Sequence, residues 1–278
     1  MTVFEHLQIS GLFDSHAHLA YSPDEQVKVM IRNAKAANLQ AVFNMGIDIE
    51  SSRKVIQQAK DSNNYAKAFI GIDPEVFEPN SDMFVGLENG EAWIEQNIKL
   101  LKDILISEKE FVTGIGETGM DFYHFEQDGS TESVKQKSKS LQEILFRKHL
   151  QLAQEFDLPL SIHSRRAEAE CLKIVKEYSC KGIFHSYTGN YTTAAEILNA
   201  GWGLGVNGIV TFKKADEIRN VYKEILKHAK YTNPQDFYNQ GIFFETDSPF
   251  LSPEGKRGLV NEPSNTKIIF EIFNTFIE

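Results

Sequence analysis

The chain has 278 residues, of which 41% are hydrophobic and 24% are charged, and its formal net charge is −10 at pH 7. This composition is that of a globular protein, so wholesale disorder is excluded, and no run approaches the ~20 apolar residues that a membrane helix needs. The acidic balance also excludes a protein that coats nucleic acid through bulk positive charge, although a localised site supported by metal cations stays open.

The amino-terminal stretch MTVFEHLQISG lacks the basic flank and the apolar run of a secretion signal. We therefore expect a cytoplasmic protein, with the nucleus as the alternative, and no membrane association. The two cysteines, Cys171 and Cys180, do not have the spacing of a disulfide framework or of a thiolate metal site. A metal site in this chain would have to use histidine and carboxylate side chains.

Eight short apolar runs are typical of strands. Several of them, such as residues 41–43 and 242–244, are apolar throughout, which indicates parallel strands covered by helices. Between most of the runs, apolar residues recur at three- and four-residue spacing and predict helices. The predicted strands span residues 11–17, 41–47, 66–72, 111–116, 159–163, 181–185, 202–206 and 241–246.

This alternation of strands and helices predicts an α/β protein with the architecture of a TIM-type (β/α)8 barrel. Because no Pro-, Gly- or Ser-rich linker interrupts it, we expect a single domain over residues 1–278, with residues 1–10 as an N-terminal lead-in. Residues 127–140 are polar and nearly devoid of apolar side chains. We expect an exposed polar insertion or the lead-in to a helix there.

Polar residues interrupt the predicted strands near their carboxyl ends, where barrel enzymes assemble their active sites. These residues are Asp14, His16, His18, Glu117, Asp121, His163, Arg165, His185, Glu245 and Asp247. Because side chains alternate along a strand, His16 and His18 point to the same side and can reach one ion. Burying so many ionisable groups together is costly unless a cation compensates. The pattern therefore predicts a metal site at the mouth of the barrel.

Each of these residues, taken alone, also has an ordinary structural interpretation. A His-x-His spacing arises by chance, and His163 or His185 could be a hydrogen-bonded core histidine. Glu117 and Asp247 could each cap a helix. The metal site is favoured because five strand ends converge on one rim, which these separate interpretations would leave to coincidence.

The polar strand ends belong to longer motifs, which are DSHAHL (14–19), GIGETGMDF (114–122), LPLSIHSRRAEAE (158–170), FHSYTG (184–189), ETDSPFLSP (245–253) and RGLVNEP (257–263). In these motifs and their order, the chain resembles the TatD family of metal-dependent deoxyribonucleases, within the amidohydrolase-like metallohydrolases. The resemblance covers residues from about 11 to 278. It implies a metal-dependent hydrolase that cleaves DNA phosphodiester bonds, with exonuclease action as the more specific form.

The resemblance also implies two divalent metal ions, for which magnesium, manganese and zinc are the alternatives. The implied ligands are His16, His18, Glu117 and Asp247 for one ion and Glu117, His163 and His185 for the other. Two such ions lower the pKa of a bridging water and neutralise the attacked phosphate. Asp247 is the expected acceptor of the proton of that water, and Glu117 is the bridge, since no lysine stands beside it to be carboxylated.

Four further residues are assigned roles around the ions. Arg165 and Arg257 are candidates for holding the substrate phosphate, with a solvated or structurally paired side chain as the alternative for each. Asp14 and Asp121 could orient ligating histidines. His149, in a helix-like stretch away from the strand ends, is given no functional role.

Three functions follow from this site. The first is a deoxyribonuclease with DNA as its partner and no obligate protein partner. The alternative enzyme is a hydrolase of a small phosphoester, amide or lactone, because the same centre polarises either type of bond and a fold does not fix the substrate. The third is a non-catalytic metal- or protein-binding barrel, which is disfavoured because every expected ligand position is filled.

Overall fold

Eight parallel strands, each paired with the next along the chain, form the central sheet of the computed structural model, which describes residues 9–126, 129–227 and 231–277. The strands are β1 Asp14–Ala17, β2 Val42–Met45, β3 Ala66–Ile70, β4 Val112–Asp121, β5 Leu160–Arg165, β6 Gly182–Phe184, β7 Gly203–Val206 and β8 Ile242–Phe244. All eight predicted strands are therefore confirmed.

One or two α-helices lie between successive strands, and another follows β8. They are α1 Asp24–Ala36, α2 Ile49–Asp61, α3 Asp82–Gly86, α4 Gly90–Ser107, α5 Glu132–Phe156, α6 Glu168–Val175, α7 Tyr191–Asn199, α8 Asp216–Leu226, α9 Pro234–Tyr238 and α10 Thr266–Ile277. This order confirms the TIM-type (β/α)8 barrel. Across the three described ranges, no helix is both long enough and apolar enough to span a bilayer.

The barrel is apolar at the amino-terminal ends of its strands. Phe13, just before β1, lies with its ring centroid 4.9 Å from that of Phe43 in β2, and Phe43 lies 5.0 Å from Phe69 in β3. All three rings are buried. Apolar packing thus occupies this end of the strands, and the candidate polar residues lie at the carboxyl ends.

The barrel closes where β1 meets the chain that follows β8. The backbone N–H of Asp247 donates to the carbonyl oxygen of His16 at 2.9 Å, and the N–H of His18 donates to that of Ser248 at 2.7 Å. These two bonds lay the segment after β8 directly alongside the two histidines. Residues that are far apart in sequence thereby become neighbours at the mouth.

Strand β4 is longer than predicted, since it continues to Asp121 rather than ending at residue 116. The prediction was wrong because the glycines of this stretch suggest a turn. Gly119 has φ +139°, and a Cβ at this position would lie 1.9 Å from the carbonyl oxygen of His163 in β5. A glycine is required there for β4 and β5 to pair.

Helix α5 begins at Glu132, so residues 132–140 form its first turns and are the helix lead-in rather than an inserted loop. Within this polar stretch Ser138 is buried, and its hydroxyl donates to the carbonyl oxygen of Phe77 at 2.5 Å. Exposure throughout the stretch was therefore a wrong expectation. Residues 127 and 128, and residues 1–8 of the expected lead-in, lie outside the described residues.

His149 is a buried side chain that ties α5 to the end of β3. Its Nε2 accepts the N–H of Ile72 at 3.1 Å, and its Nδ1 lies 2.9 Å from the carbonyl oxygen of Leu145. The first of these contacts requires an unprotonated Nε2, and burial lowers the pKa of His149 to about 4. This histidine is a core residue that stabilises the fold in its neutral form.

We predict that His149 makes stability depend on pH in weak acid. Between its ordinary pKa of 6.5 and about 4, the unfolded chain binds a proton at this position that the folded chain does not, so the free energy of unfolding falls as the pH drops. Urea denaturation measures the free energy of unfolding of wild type and of His149→Gln. The difference between these two free energies should shrink by about 2 kcal/mol from pH 7 to pH 5. The control is His124→Gln, at a half-exposed histidine. A constant difference for His149→Gln would contradict the prediction.

Candidate metal centre

Two groups of donor atoms meet at the carboxylate of Glu117, which projects from β4 and is buried. Its Oε2 lies 3.6 Å from Nε2 of His16 and 3.3 Å from Nε2 of His18. Its Oε1 lies 2.8 Å from Nδ1 of His163 and 2.8 Å from Nε2 of His185. One carboxylate thus faces a different pair of imidazoles with each of its oxygens.

The first group has the separations of a metal site. Nε2 of His16 and Nε2 of His18 are 3.2 Å apart, and Oδ1 of Asp247 lies 3.8 Å from the former and 3.4 Å from the latter. Four ligands about 2.1 Å from one ion in tetrahedral geometry would lie about 3.4 Å from one another. The imidazole and carboxylate donors of this group therefore fit a divalent cation.

The second group contains three donor atoms and opens to the cavity. Nδ1 of His163 and Nε2 of His185 are 3.2 Å apart and share Oε1 of Glu117. All three atoms lie within ligand distance of one another. Three protein ligands with an open position are typical of a catalytic metal site, so this group also fits a cation.

The carboxylates and imidazoles of the centre shift one another's pKa values. Burial lowers the pKa of His18, but hydrogen bonds to Asp247 and Glu117 and their negative charges outweigh it and raise the pKa to about 10. Burial is likewise outweighed at His185, where Glu117 is the main partner and the pKa rises to about 9. Despite its burial, the nearby histidines hold the pKa of Glu117 well below its ordinary value. A divalent ion would replace the protons of these imidazoles, since metal ligands must be deprotonated.

Asp121 orients one of the imidazoles. Its Oδ2 accepts a hydrogen bond from Nε2 of His163 at 2.7 Å, which leaves Nδ1 of that ring facing Glu117. The other oxygen of Asp121 accepts the N–H of Tyr123 at 2.7 Å, so the carboxylate is itself held in place. The contact expected of Asp121 is present.

Asp14 does not have the expected role. Its carboxylate accepts the backbone N–H of His16 at 3.1 Å and both the N–H and the hydroxyl of Thr246, so it ties β1 to the chain after β8. Nδ1 of the His16 ring lies 2.8 Å from the hydroxyl of Ser161 instead. Ser161 is two residues before His163 on β5, and this same-side spacing is the signal that could have found it.

Glu245 was recognised at a strand end but was given no role. It is fully buried, its Oε1 accepts the backbone N–H of Ser186, and the same oxygen lies 3.7 Å from Nδ1 of His185. Glu245 thereby positions the segment that carries His185. Its place directly after the apolar run of β8 was the sequence signal for a position at the mouth.

A cavity of about 270 Å³ opens beside the centre and is lined by three of the candidate ligands, His163, His185 and Asp247. Arg165 also lines it, with Cζ 3.4 Å from the ring centroid of Tyr123. Arg257 is exposed and stacks on Phe212 at 4.5 Å, away from the cavity lining. Of the two arginines expected to bind substrate, the structure brings Arg165 to the cavity and not Arg257.

Histidines and carboxylates that converge at the carboxyl ends of barrel strands can hold metal ions that activate water. With these side chains in place and a relative named as a metal-dependent hydrolase, this chain is a metal-dependent hydrolase. Residues 13–277 match the family described as TatD related DNase. The chain belongs to the TatD family.

Three similar proteins illustrate the relationship. YabD of Bacillus subtilis, named as an uncharacterized metal-dependent hydrolase, is 32% identical over 264 residues, which cover 94% of this chain and 89% of YabD. The crystal structure of YjjV, a TatD homologue of Escherichia coli, superposes with a TM-score of 0.75 at 20% identity over 95% of this chain and 90% of that one. A phosphotriesterase-like lactonase mutant of Deinococcus radiodurans superposes with a TM-score of 0.59 at 11% identity over 95% and 88%. The two structural likenesses show the shared barrel fold.

We predict that Asp121→Asn weakens metal binding about tenfold or more, because a carboxylate partner orients a ligating histidine and raises its basicity. The measurement is competition for zinc against a fluorescent chelator. Glu78→Gln removes another carboxylate near the mouth, one that lies 3.9 Å from His124 rather than against a candidate ligand, and is the matched control. Equal zinc affinity in both variants would rule out the orienting role of Asp121.

Proposed function

We propose that the protein is a deoxyribonuclease that hydrolyses DNA phosphodiester bonds at a centre of two divalent metal ions. The observation that carries the proposal is Glu117, whose two oxygens face two separate groups of donor atoms. The match to the family described as TatD related DNase supports DNA as the substrate. Magnesium, manganese and zinc are the candidate ions, because histidine and carboxylate ligands accept all three.

The two groups of donor atoms divide the ligands between the ions. The ligands are His16, His18, Glu117 and Asp247 for one ion and Glu117, His163 and His185 for the other. When bound, two such ions would lower the pKa of the attacking water molecule and neutralise charge on a phosphate. No covalent enzyme nucleophile is then required.

Asp247 is our candidate for the proton acceptor. It lines the cavity and its side chain is 15% exposed, whereas Glu117 is enclosed. Burial opposes ionisation of Asp247, but His18 and then His16 lower its pKa, so the carboxylate is charged near neutral pH. As the water oxygen bonds to phosphorus, its proton passes to Asp247, the bond to the leaving nucleotide oxygen breaks, and that oxygen takes a proton from solvent.

Arg165 is our candidate for the phosphate-binding side chain. Its guanidinium packs over the ring of Tyr123 at the cavity wall, which limits its freedom before substrate arrives. Arg257 is held against Phe212 and does not line the cavity. We therefore expect Arg165 to contribute more to binding of the reacting phosphate than Arg257.

We predict that Glu117→Gln lowers kcat/KM by more than about 1,000-fold, because both groups of donor atoms lose the charge that they share. Circular dichroism and thermal unfolding should show a folded barrel, since the glutamine keeps the shape of the side chain. The matched control is Glu78→Gln, which removes a carboxylate outside the candidate ligands. Turnover within tenfold of wild type would refute the bridging role.

A second candidate function is hydrolysis of a small phosphoester, amide or lactone. Glu75 and Glu168 line the same cavity as Arg165, and the chain as a whole carries a formal charge of −10. These carboxylates disfavour a polyanion that is not accompanied by cations. A small substrate with one phosphate, or with none, would meet less repulsion.

Digestion of labelled substrates separates the two functions. We expect end-labelled single- or double-stranded DNA to be shortened in the presence of magnesium or manganese, and we expect a chelator to stop the reaction. A small phosphodiester, a lactone and an amide are assayed beside the DNA, with Glu117→Gln prepared in parallel to detect contaminating nucleases. Turnover of the small compounds alone would reject the deoxyribonuclease and favour the second function.

A further inference from the structure

Two aromatic side chains stand half-exposed at the mouth of the metal centre. Tyr21 is 54% exposed and Phe250 is 50% exposed, and their ring centroids lie 5.7 Å apart with the planes at 76°. Both rings contact the candidate ligand His18, at centroid distances of 5.7 Å for Tyr21 and 6.2 Å for Phe250. We call Tyr21 and Phe250 the aromatic rim.

The backbone beneath Tyr21 is held from both sides. Nζ of Lys54 donates to the carbonyl oxygen of Ala20 at 2.6 Å and to that of Ser22 at 3.1 Å. The N–H of Tyr21 donates to the carbonyl oxygen of His18 at 3.3 Å. The ring is therefore presented to solvent from a fixed turn.

Phe250 is held in the same manner. Its N–H donates to the carbonyl oxygen of Asp247 at 2.9 Å, and its own carbonyl oxygen accepts from Nδ2 of the buried Asn261 at 2.6 Å. Its ring lines the cavity that is shared with Asp247. A rigidly held apolar surface inside a site is typical of a binding contact, because little entropy is lost when a ligand meets it.

The size and position of the cavity indicate which kind of ligand would contact the ring of Phe250. Its volume of about 270 Å³ is close to the lower end of small-ligand cavities, roughly 300 Å³, so it accommodates one unit of a polymer rather than several. In a nucleotide a single sugar separates the phosphate from the base. A phosphate at the metal centre would therefore place its own base near Phe250, whose ring lies 6.2 Å from that of His18.

We propose that Phe250, supported edge-on by Tyr21, stacks on the base of the nucleotide whose phosphate lies at the metal centre. The proposal rests on the proposed deoxyribonuclease function and adds to it the contact that orients the substrate. Every base has a flat π face, so the contact tolerates any sequence. Phe250 is a substrate-binding residue in this arrangement, and Tyr21 is a positioning residue that acts through it.

Removal of single bases from the substrate tests the contact. Three single-stranded oligonucleotides are compared: one intact, one with tetrahydrofuran in place of the nucleoside at the 5′ end, and one with this replacement at the 3′ end. The enzymes are wild type, Phe250→Ala, Phe250→Trp and Tyr21→Ala, all with magnesium. The matched control is Tyr191→Ala, which removes an aromatic ring of similar exposure, 43%, on α7. The readout is kcat/KM for the first cleavage.

Loss of the stack should appear only where a base is present. Phe250→Ala is expected to lower kcat/KM on the intact oligonucleotide about tenfold or more, the effect of losing one base–aromatic stack. On one of the two substrates that lack a base, the same substitution should change kcat/KM less than twofold, which also identifies the end that is bound. Phe250→Trp should retain the wild-type rate, Tyr21→Ala should show a smaller loss with the same base dependence, and Tyr191→Ala should match wild type.

Each contrary result would overturn a different part of the proposal. An equal loss on all three substrates would overturn stacking while leaving the deoxyribonuclease intact, and so would a wild-type rate for a folded Phe250→Ala. If Phe250→Ala does not fold, Tyr21→Ala decides by the same base dependence. Failure of wild type to cleave any oligonucleotide would overturn the proposed function and the stack together. A wild-type dimer that Phe250→Ala dissociates in sedimentation would assign the rim to a second copy of the chain and reject the base.

Discussion

The candidate centre depends on one carboxylate that is shared between two groups of donor atoms. Glu117 can face both groups because β4 continues past it, and β4 can continue because Gly119 allows close approach to β5. The same pairing of β4 with β5 brings the carboxylate of Asp121 to Nε2 of His163. The geometry around Glu117 is therefore set by backbone pairing, and its side-chain contacts depend on that pairing.

The electrostatics are consistent with the anionic substrate that we propose for this acidic chain. Most proteins that bind phosphate polymers use lysine and arginine. Here the formal charge is −10, and Glu75 and Glu168 stand at the cavity beside Arg165. Positive charge would be supplied mainly by ions held at Glu117, so binding and chemistry would share one source of charge. Metal-free protein would then lose affinity for the substrate together with its activity.

Much of the fold could be predicted from the sequence, because apolar strand runs and helical spacing are local patterns. All eight strands were found, and the candidate ligands are brought together by the barrel. Contacts between strands were not visible. Ser161 meets the ring of His16 across 145 residues of sequence, and the end of β4 could not be seen because its glycines also suggest a turn. The exposure of side chains was equally hidden, so the aromatic rim was not predicted, although Phe250 lies within the motif at 245–253.

The closure between β1 and the chain after β8 has a consequence for biosynthesis. Asp14 and Thr246, which hold this seam, are 232 residues apart, and the neighbouring His16 and Asp247 belong to the same group of donor atoms. A ribosome must therefore deliver most of the polypeptide before that group is complete. Glu117, His163 and His185 emerge earlier, but Glu245, which positions the segment that carries His185, emerges only with Thr246, so the second group also waits for the end of β8. Both groups of donor atoms would therefore be completed late, when nearly the whole barrel has been synthesised.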